Sequence, residues 1–149
     1  MSDTTSSRHV KVLLDVERDD GTHELESVWA VAEDGGYRLD NIPFYARGFA
    51  WGDVVSATPD PDGLLRCSGL VAASGHSTIR LWFADAGDVQ KVRDDLRALG
   101  CDSELDLPRL VAVDVPPEVP YERIRSYLDD KKRAGLFEYE EGCLGQPGS

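Results

Sequence analysis

One short stretch combines residue types that could perform chemistry: residues 74–80 are SGHSTIR, and they lead directly into LWF. Nucleophilic catalysis would need a serine, a base and an orienting carboxylate in mutual contact. Ser74 and His76 stand two positions apart, however, and side chains at that spacing on a strand run parallel rather than converge. The stretch also lacks the flanking glycines of a nucleophile elbow. General acid–base catalysis by His76, with Tyr45 or a carboxylate as helper, remains the alternative hypothesis.

The sequence contains no recognisable metal or cofactor motif. The two other histidines stand near the start in unlike contexts, and neither H-x-H nor H-E-x-x-H occurs. Cys67, Cys101 and Cys143 are widely separated and form no C-x-x-C pair, so we expect neither a disulfide framework nor a zinc site. No glycine-rich loop precedes a helix with a suitable lysine for phosphate binding. We therefore expect no metal, no cofactor and a location in the reducing cytoplasm.

The alternation of side chains along the strand predicted over residues 74–83 indicates where this stretch points. One face is mostly apolar and consists of Ser77, Ile79, Leu81 and Phe83. The other face is polar with one aromatic ring and consists of His76, Thr78, Arg80 and Trp82. We expect the apolar face to meet helices and the polar face to dock on the first half of the chain, with His76 and Arg80 edging a cleft between the halves.

Both charged groups of this stretch also have structural alternatives. Arg80 could form an ion pair with Asp114 or Glu138 on neighbouring strands. His76 could satisfy buried backbone groups rather than act on a substrate.

A second candidate region is NIPFYARGFAW, residues 41–51. Its aromatic rings, with an asparagine and an arginine among them, have the composition of binding surfaces. The alternative is that the rings fill a small barrel and cover the seam between the halves. Together the two regions give the predicted binding residues, which are Asn41, Phe44, Tyr45, Arg47, Trp51, Ser74, Thr78 and Arg80. His76 is the catalytic residue in the alternative hypothesis only.

The second half of the chain alternates strand and helix patterns. STIRLWF is β-branched and aromatic, and AGDVQKVRDDLRALG then has apolar residues at helical spacing before Gly100. CDSELDLPRLVAVDVP predicts a short strand, a turn and a longer strand, and a second helix with a basic end follows before LFEYEEGCL. This order is that of a ferredoxin-like split βαβ arrangement, in which both helices cover one face of an antiparallel sheet.

The first half has no helical period and predicts closely spaced strands. HVKVLLDVE, ELESVWAVAE, GDVVSAT and GLLRCSGLVAAS are separated by turn dipeptides such as Asp20-Gly21 and Asp62-Gly63. Such strands favour a small antiparallel barrel or a strongly bent sheet. The predicted fold is therefore α+β, with an all-β subdomain over residues 1–75 packed on a ferredoxin-like subdomain over residues 76–149.

The charge balance limits the possible partners. The chain has 28 acidic and 16 basic side chains, a net charge of −12, and both halves are acidic. Such a field repels phosphate backbones and disfavours direct nucleic-acid binding, whereas it suits a basic protein partner. The alternative is that acidity only keeps the protein soluble. No apolar run approaches the roughly 18 residues of a membrane span, and the start has no targeting pattern.

Several longer phrases carry a resemblance. VWAVAEDGGYRLDNIPFYARGFAWGDVVSA, SGHSTIRLWF, LGCDSE, LVAVDVP and GLFEYEEGCL resemble a bacterial family catalogued as domain of unknown function 4265, over nearly the whole chain. The resemblance implies a stand-alone cytoplasmic protein of this size. It implies no reaction, ligand or catalytic residue.

Two hypotheses of function remain. The first is a non-enzymatic binding or regulatory protein, of immunity or inhibitor type, that holds a protein partner with an acidic surface and an aromatic seam. The second is a small enzyme or small-molecule binder whose cleft contains His76 and Arg80. A purely structural subunit that forms a homo-oligomer is a further alternative.

Overall fold

Two sheets and two helices form the part of the chain that the structure, a computed structural model, describes, which is residues 9–145. The strands are β1 (His9–Glu17), β2 (His23–Glu33), β3 (Gly36–Leu39), β4 (Val54–Pro59), β5 (Leu65–Ala72), β6 (Ser77–Phe83), β7 (Asp102–Leu105), β8 (Leu110–Val115) and β9 (Phe137–Cys143). The helices are α1 (Val89–Ala98), which follows a 3-10 turn at Ala86–Asp88, and α2 (Tyr121–Arg133). The predicted α+β class is confirmed.

The first sheet contains β1 to β5, and each strand pairs with the next in antiparallel fashion. The sheet closes on itself because β1 also pairs with β5, in parallel, through Val12 with Leu65 and Leu13 with Arg66. Alternate side chains point inward and form a core that includes Val12, Leu14 and Val28. The strand β3 was not predicted from the sequence, because its four residues are too few to give a strand pattern.

The second sheet has the order β7-β8-β6-β9, and β6 lies between β8 and β9 with both neighbours antiparallel. Its apolar face packs against both helices: Ile79 and Leu81 share a core with Val92 of α1 and Ile124 of α2. The prediction that the apolar face of β6 meets the helices is therefore confirmed.

The helix ends follow the signals in the sequence. The Asp85 side chain accepts a hydrogen bond from the Gly87 amide and so caps the turn that leads into α1. Three basic residues occupy the last turn of α2, where the helix dipole favours positive charge. Gly135 then leaves the helix with a φ of 85°, which other residues rarely adopt.

The segment between β3 and β4, residues 40–53, crosses onto the polar face of β6. The Thr78 hydroxyl donates to the Phe49 carbonyl at 3.1 Å, and the Arg80 guanidinium donates to the Ala46 carbonyl. The Gly48 amide donates to the Gly142 carbonyl at 2.9 Å. The polar face thus docks on the first half of the chain, as predicted, and the β3–β4 loop is the element that makes the contact.

Neither helix of the described residues combines the length and the apolar character needed to cross a lipid bilayer.

Candidate functional site

A cleft of about 440 Å³ opens where the β3–β4 loop meets one end of the second sheet. That end gathers the start of β6, the end of β8 and the start of β7, since neighbouring strands are antiparallel. The cleft is lined by Asp40, Ile42, Trp51, His76, Asp102, Glu104, Asp114, Pro116 and Glu118. We call this cavity the seam cleft.

His76 and Asp114 form a hydrogen-bonded pair in the wall of the seam cleft. Nδ1 of His76 lies 2.8 Å from Oδ1 and 3.1 Å from Oδ2 of Asp114. A carboxylate accepts, so Nδ1 carries a proton, and in the neutral imidazole the lone pair is on Nε2. Nε2 has no hydrogen-bond partner within residues 9–145, and it is accessible to water. The imidazole can therefore accept a hydrogen bond from a ligand.

The Asp114 carboxyl is an acidic group in an otherwise apolar, buried strand. The residue is 6% exposed and interrupts the apolar run of β8. Burial raises the pKa of this carboxyl above its ordinary value, because the charged form loses hydration. The hydrogen bond from His76 opposes that shift, whereas the negative charges of Asp102 and Glu118 add to it. The cleft therefore contains more negative charge than its own groups neutralise.

The Trp51 ring forms the part of the wall next to His76 and is held in place. Its centroid lies 5.0 Å from that of the His76 ring, with the planes tilted by 55°. Its Nε1 donates to Oδ1 of Asp40 at 3.3 Å, and Oδ2 of the same carboxylate lies 3.1 Å from Nε2 of His9. The indole thus presents a fixed aromatic surface to the cleft.

The Ser74 hydroxyl stabilises the turn before β6. Its hydroxyl donates to the Trp51 carbonyl at 2.8 Å and accepts from the His76 amide at 3.2 Å. The buried carboxylate of Asp53 accepts from the amides of Ser74 and Ala50, at 2.8 and 3.0 Å. These bonds fix the loop end that carries Trp51 to the strand that carries His76.

Arg80 lies beneath the loop and not in the seam cleft. The residue is 1% exposed, and its Nη1 donates to Oε2 of Glu140 at 2.8 Å. Its Nε is buried without a hydrogen-bond partner in the described chain. A Cβ on Gly142 would lie 2.6 Å from Nη1, so a larger residue there would force the guanidinium to shift. The structure therefore does not bring Arg80 and His76 together in one cleft.

The ion pair expected for Arg80 was assigned to the wrong partners. In the β6–β9 register Arg80 stands opposite Glu140, while Glu138 stands opposite Trp82 and pairs with Lys132 at 3.2 Å. Asp114 stands opposite Thr78 in β8 and accepts from His76 instead.

The aromatic part of the β3–β4 loop lies in a second region, away from the seam cleft. Tyr45 and Arg47 line an open depression of about 470 Å³ together with acidic residues of the β1 end, and Phe44 lines an adjoining one. The Tyr45 hydroxyl donates to Asp106 at 2.5 Å, and Arg47 donates to Glu140 at 3.1 Å. Tyr45 therefore does not contact His76, and the carboxylate that does is Asp114.

One carboxylate organises the backbone of this part of the loop. Glu26 of β2 accepts from three successive amides, those of Phe44 at 2.6 Å, Tyr45 at 3.1 Å and Ala46 at 2.9 Å. Three converging amides satisfy the charge that Glu26 brings into the structure. The loop conformation thus depends on Glu26, which is not among the predicted site residues.

The nine predicted site residues fall into three groups. Trp51 and His76 line the seam cleft. Phe44, Tyr45 and Arg47 line the second region. The remaining four, which hold the loop in place, are Asn41, Ser74, Thr78 and Arg80. The contacts of the last three are given above, and Oδ1 of Asn41 accepts from the Trp29 amide at 2.6 Å.

The acidic side of the seam cleft was not predicted from the sequence. Those residues are Asp40, Asp102, Glu104 and Glu118, and Asp114 was named only as a partner for Arg80. One signal was available: Asp114 is a lone charge inside the apolar run LVAVDV, and buried charges usually have a partner or a function.

The fold and the cleft define an α+β protein whose two sheets meet at an acidic seam. The chain belongs to the family that shares a domain of unknown function (DUF4265), whose pattern matches residues 26–139, and the resemblance found in the sequence is thereby confirmed. A solved structure described as a novel crystal structure of a hypothetical protein from Neisseria gonorrhoeae is similar. It has a TM-score of 0.81 and 20% identity, and the match covers 93% of this chain and 96% of that one. No curated protein matches the chain.

Proposed function

We propose that this protein is a non-enzymatic binding or regulatory protein, of the kind represented by immunity and inhibitor proteins, and that it holds a protein partner at the seam cleft. The observation that carries the proposal is the open cavity of about 440 Å³ beside Trp51 and His76. A fixed aromatic ring next to a few directed polar groups is typical of recognition sites. The loop that supplies Trp51 is anchored by Asp53 and Ser74, which favours binding because little order must be gained.

Charge supports a basic partner. The net charge of −12 attracts cationic proteins over long distances and speeds their encounter. The same field repels nucleic acids, so we propose no direct contact with them. The acidic residues that line the seam cleft would attract a cationic group to that part of the surface.

Partner capture with two matched tryptophan variants tests the proposal. Trp51→Leu removes the indole from the seam cleft, and Trp82→Leu removes an indole that is 42% exposed and lies outside it. From a lysate of the organism that encodes the protein, we expect the wild type and Trp82→Leu to retain the same partner at low salt and less of it at moderate salt. Trp51→Leu should retain little. Equal capture by both variants, or no capture at either salt concentration, would contradict the proposal.

A second candidate function is a small enzyme or small-molecule binder. The observation that favours it is the His76–Asp114 pair, in which the acid orients the imidazole and leaves Nε2 free to accept a proton. Thermal-shift screening against metabolites, followed by turnover assays on any ligand found, tests this function. If His76→Asn abolishes activity at an unchanged melting temperature, the second function is correct. If the variant only lowers the melting temperature, His76 has a structural role.

The finer architecture is part of the proposal. We propose that residues 1–75 form a small barrel-like subdomain and residues 76–149 a ferredoxin-like one, although both ranges extend beyond the described residues. The closure of β1 on β5 supports the first, and the order β7-β8-β6-β9 supports the second. We also propose a cytoplasmic location, which the three free thiols of Cys67, Cys101 and Cys143 support.

A further inference from the structure

The seam cleft has a surplus of negative charge that its own walls leave unbalanced. Asp102, Glu104 and Glu118 line it, and the side-chain carboxylate of none of the three has a hydrogen-bond or ion-pair partner within residues 9–145. No lysine or arginine of that range lines the cleft. The depression beside Tyr45, by contrast, has Arg18 and Arg47 in its lining together with its acidic residues. A ligand of opposite charge would balance the one-sided lining of the seam cleft.

The β7–β8 register increases the repulsion. Asp102 stands directly opposite Asp114, and like charges at opposed positions of neighbouring strands destabilise a sheet. Asp102 and Glu104 are two positions apart on β7, so both side chains point to the same face. Burial raises the pKa of the Cys101 thiol, and the negative charges of Asp114 and Asp102 raise it further, to about 12. A cation in the cleft would relieve this repulsion.

The walls favour a flat organic cation. The ring of Trp51 offers a π surface, and a planar guanidinium stacks on such a surface while its N–H groups reach several acceptors at once. His76 contributes one more acceptor at Nε2, beside the indole. A metal ion fits less well, because no three His, Cys, Asp or Glu side chains of the described chain converge in a way that could hold one.

We propose that the seam cleft receives the guanidinium of an arginine side chain presented by a basic protein partner, with the cation stacked on Trp51 and hydrogen-bonded to Asp102, Glu104 or Glu118 and to Nε2 of His76. This inference rests on the proposed function, since it names the group by which the partner is recognised. A lysine ammonium is a compact point charge, and it would use the carboxylates but not the stacking surface.

The test uses the full-length, isotope-labelled protein and two small probes, N-acetyl-arginine methylamide and N-acetyl-lysine methylamide. We expect the arginine probe to shift the indole N–H signal of Trp51 and the amide signals of His76 and Asp102 in a saturable manner. The indole signals of Trp29 and Trp82, which do not line the cleft, serve as internal references. The lysine probe should bind at least about fivefold more weakly.

Two charge-matched triple variants separate a local site from the overall field. Asp102→Asn with Glu104→Gln and Glu118→Gln removes the three unpaired carboxylates of the cleft, and binding of the arginine probe should weaken about tenfold or more. The control is Asp34→Asn with Asp62→Asn and Glu122→Gln, three exposed positions outside the cleft, and it should bind within about twofold of wild type.

Three outcomes would overturn the inference. The first is the absence of saturable shifts with the arginine probe, the second is equal binding of both probes, and the third is an equal loss in both triple variants. None of these decides the proposed function, which stands or falls with partner capture by Trp51→Leu and Trp82→Leu. Conversely, equal capture by those two variants would contradict the proposed function whatever the probes do.

Discussion

Nδ1 of His76 lies 2.8 Å from Oδ1 of Asp114, so the one imidazole in the seam cleft is held by the one buried carboxylate of β8. The pair joins the first residues after the turn to the last residues of a core strand. It determines which nitrogen of the imidazole is already engaged by the protein and which is left without a partner in the described chain. The electrostatic state of Asp114 is therefore the first property to measure.

The first prediction concerns the titration of Asp114. Burial raises the pKa of its carboxyl, and Asp102 and Glu118 raise it further. Asp102→Asn with Glu118→Gln should lower that pKa, as followed by carbon NMR of the carboxyl group, whereas Asp34→Asn with Asp62→Asn should leave it unchanged. An unchanged pKa in the first variant would show that the neighbouring charges do not act on Asp114.

The same shift predicts the direction of a stability change with pH. Since the pKa of Asp114 is higher in the folded state, the contribution of this group to stability is complete below the ordinary aspartate pKa and is lost as the pH rises through the folded value. The free energy of unfolding, measured by urea denaturation, should therefore decline less with rising pH in Asp114→Asn than in wild type between the ordinary and the folded pKa of Asp114. If the free energy of unfolding declines equally in both proteins, groups other than Asp114 cause the decline.

The second prediction concerns Glu26, which accepts from three amides of the β3–β4 loop. Glu26→Ala leaves these donors without a partner and should lower the free energy of unfolding by about 2–3 kcal/mol in urea denaturation. Glu24→Ala, two positions earlier on β2, removes only an exposed ion pair with Arg18 and should cost no more than about 1 kcal/mol. Similar losses in both variants would mean that the amides find other acceptors.

The third prediction concerns the space beside the Arg80 guanidinium. A Cβ on Gly142 would lie 2.6 Å from Nη1, and Arg80 cannot retreat because Glu140 and Ala46 hold it. Gly142→Ala should lower the free energy of unfolding by about 1–3 kcal/mol, the usual cost of overpacking. Gly69→Ala is the matched strand control, since a Cβ there meets nothing within 4 Å. A melting temperature that falls equally in both variants would remove the steric explanation.

The fourth prediction concerns tyrosines that donate to carboxylates. Burial first, and then Asp106 and Asp129 respectively, raise the pKa of Tyr45 and of Tyr139 to about 12. A phenol with a raised folded pKa contributes stability below its ordinary pKa, and this contribution is lost as the pH rises through the folded value. Alkaline titration followed by phenolate absorbance should therefore show delayed ionisation.

Asp106→Asn tests one of these tyrosines directly. It should move one phenol back toward the ordinary range, while Tyr45→Phe should remove that phenol from the titration curve. If Asp106→Asn leaves the curve unchanged, the contact between Tyr45 and Asp106 is absent in solution.

The regular elements could be predicted because their signals are local. The helical spacing of Val89, Val92 and Leu96 and the alternation along β6 both depend on neighbouring positions only. The strand β3 gave no such signal, because its four residues include a glycine and form a strand only through pairing with β2 and β4.

The site was predictable only in part, for a different physical reason. The partner of Arg80 depends on the β6–β9 register, which shifts between Thr78 and Ile79. No pattern in the sequence predicts such a shift. The carboxylates of the cleft come from separate elements that tertiary pairing brings together. Trp51 and His76 were selected by composition and strand parity, and these two do share the cleft.

The β3–β4 loop belongs to the first sheet by connectivity and to the second by hydrogen bonding, through Ala46, Phe49 and Gly48. Neither hydrophobic core can melt without exposing buried partners of the other, Arg80 and Thr78 above all. The two sheets therefore form one thermodynamic unit, and calorimetry should record a single endotherm whose van't Hoff and calorimetric enthalpies agree.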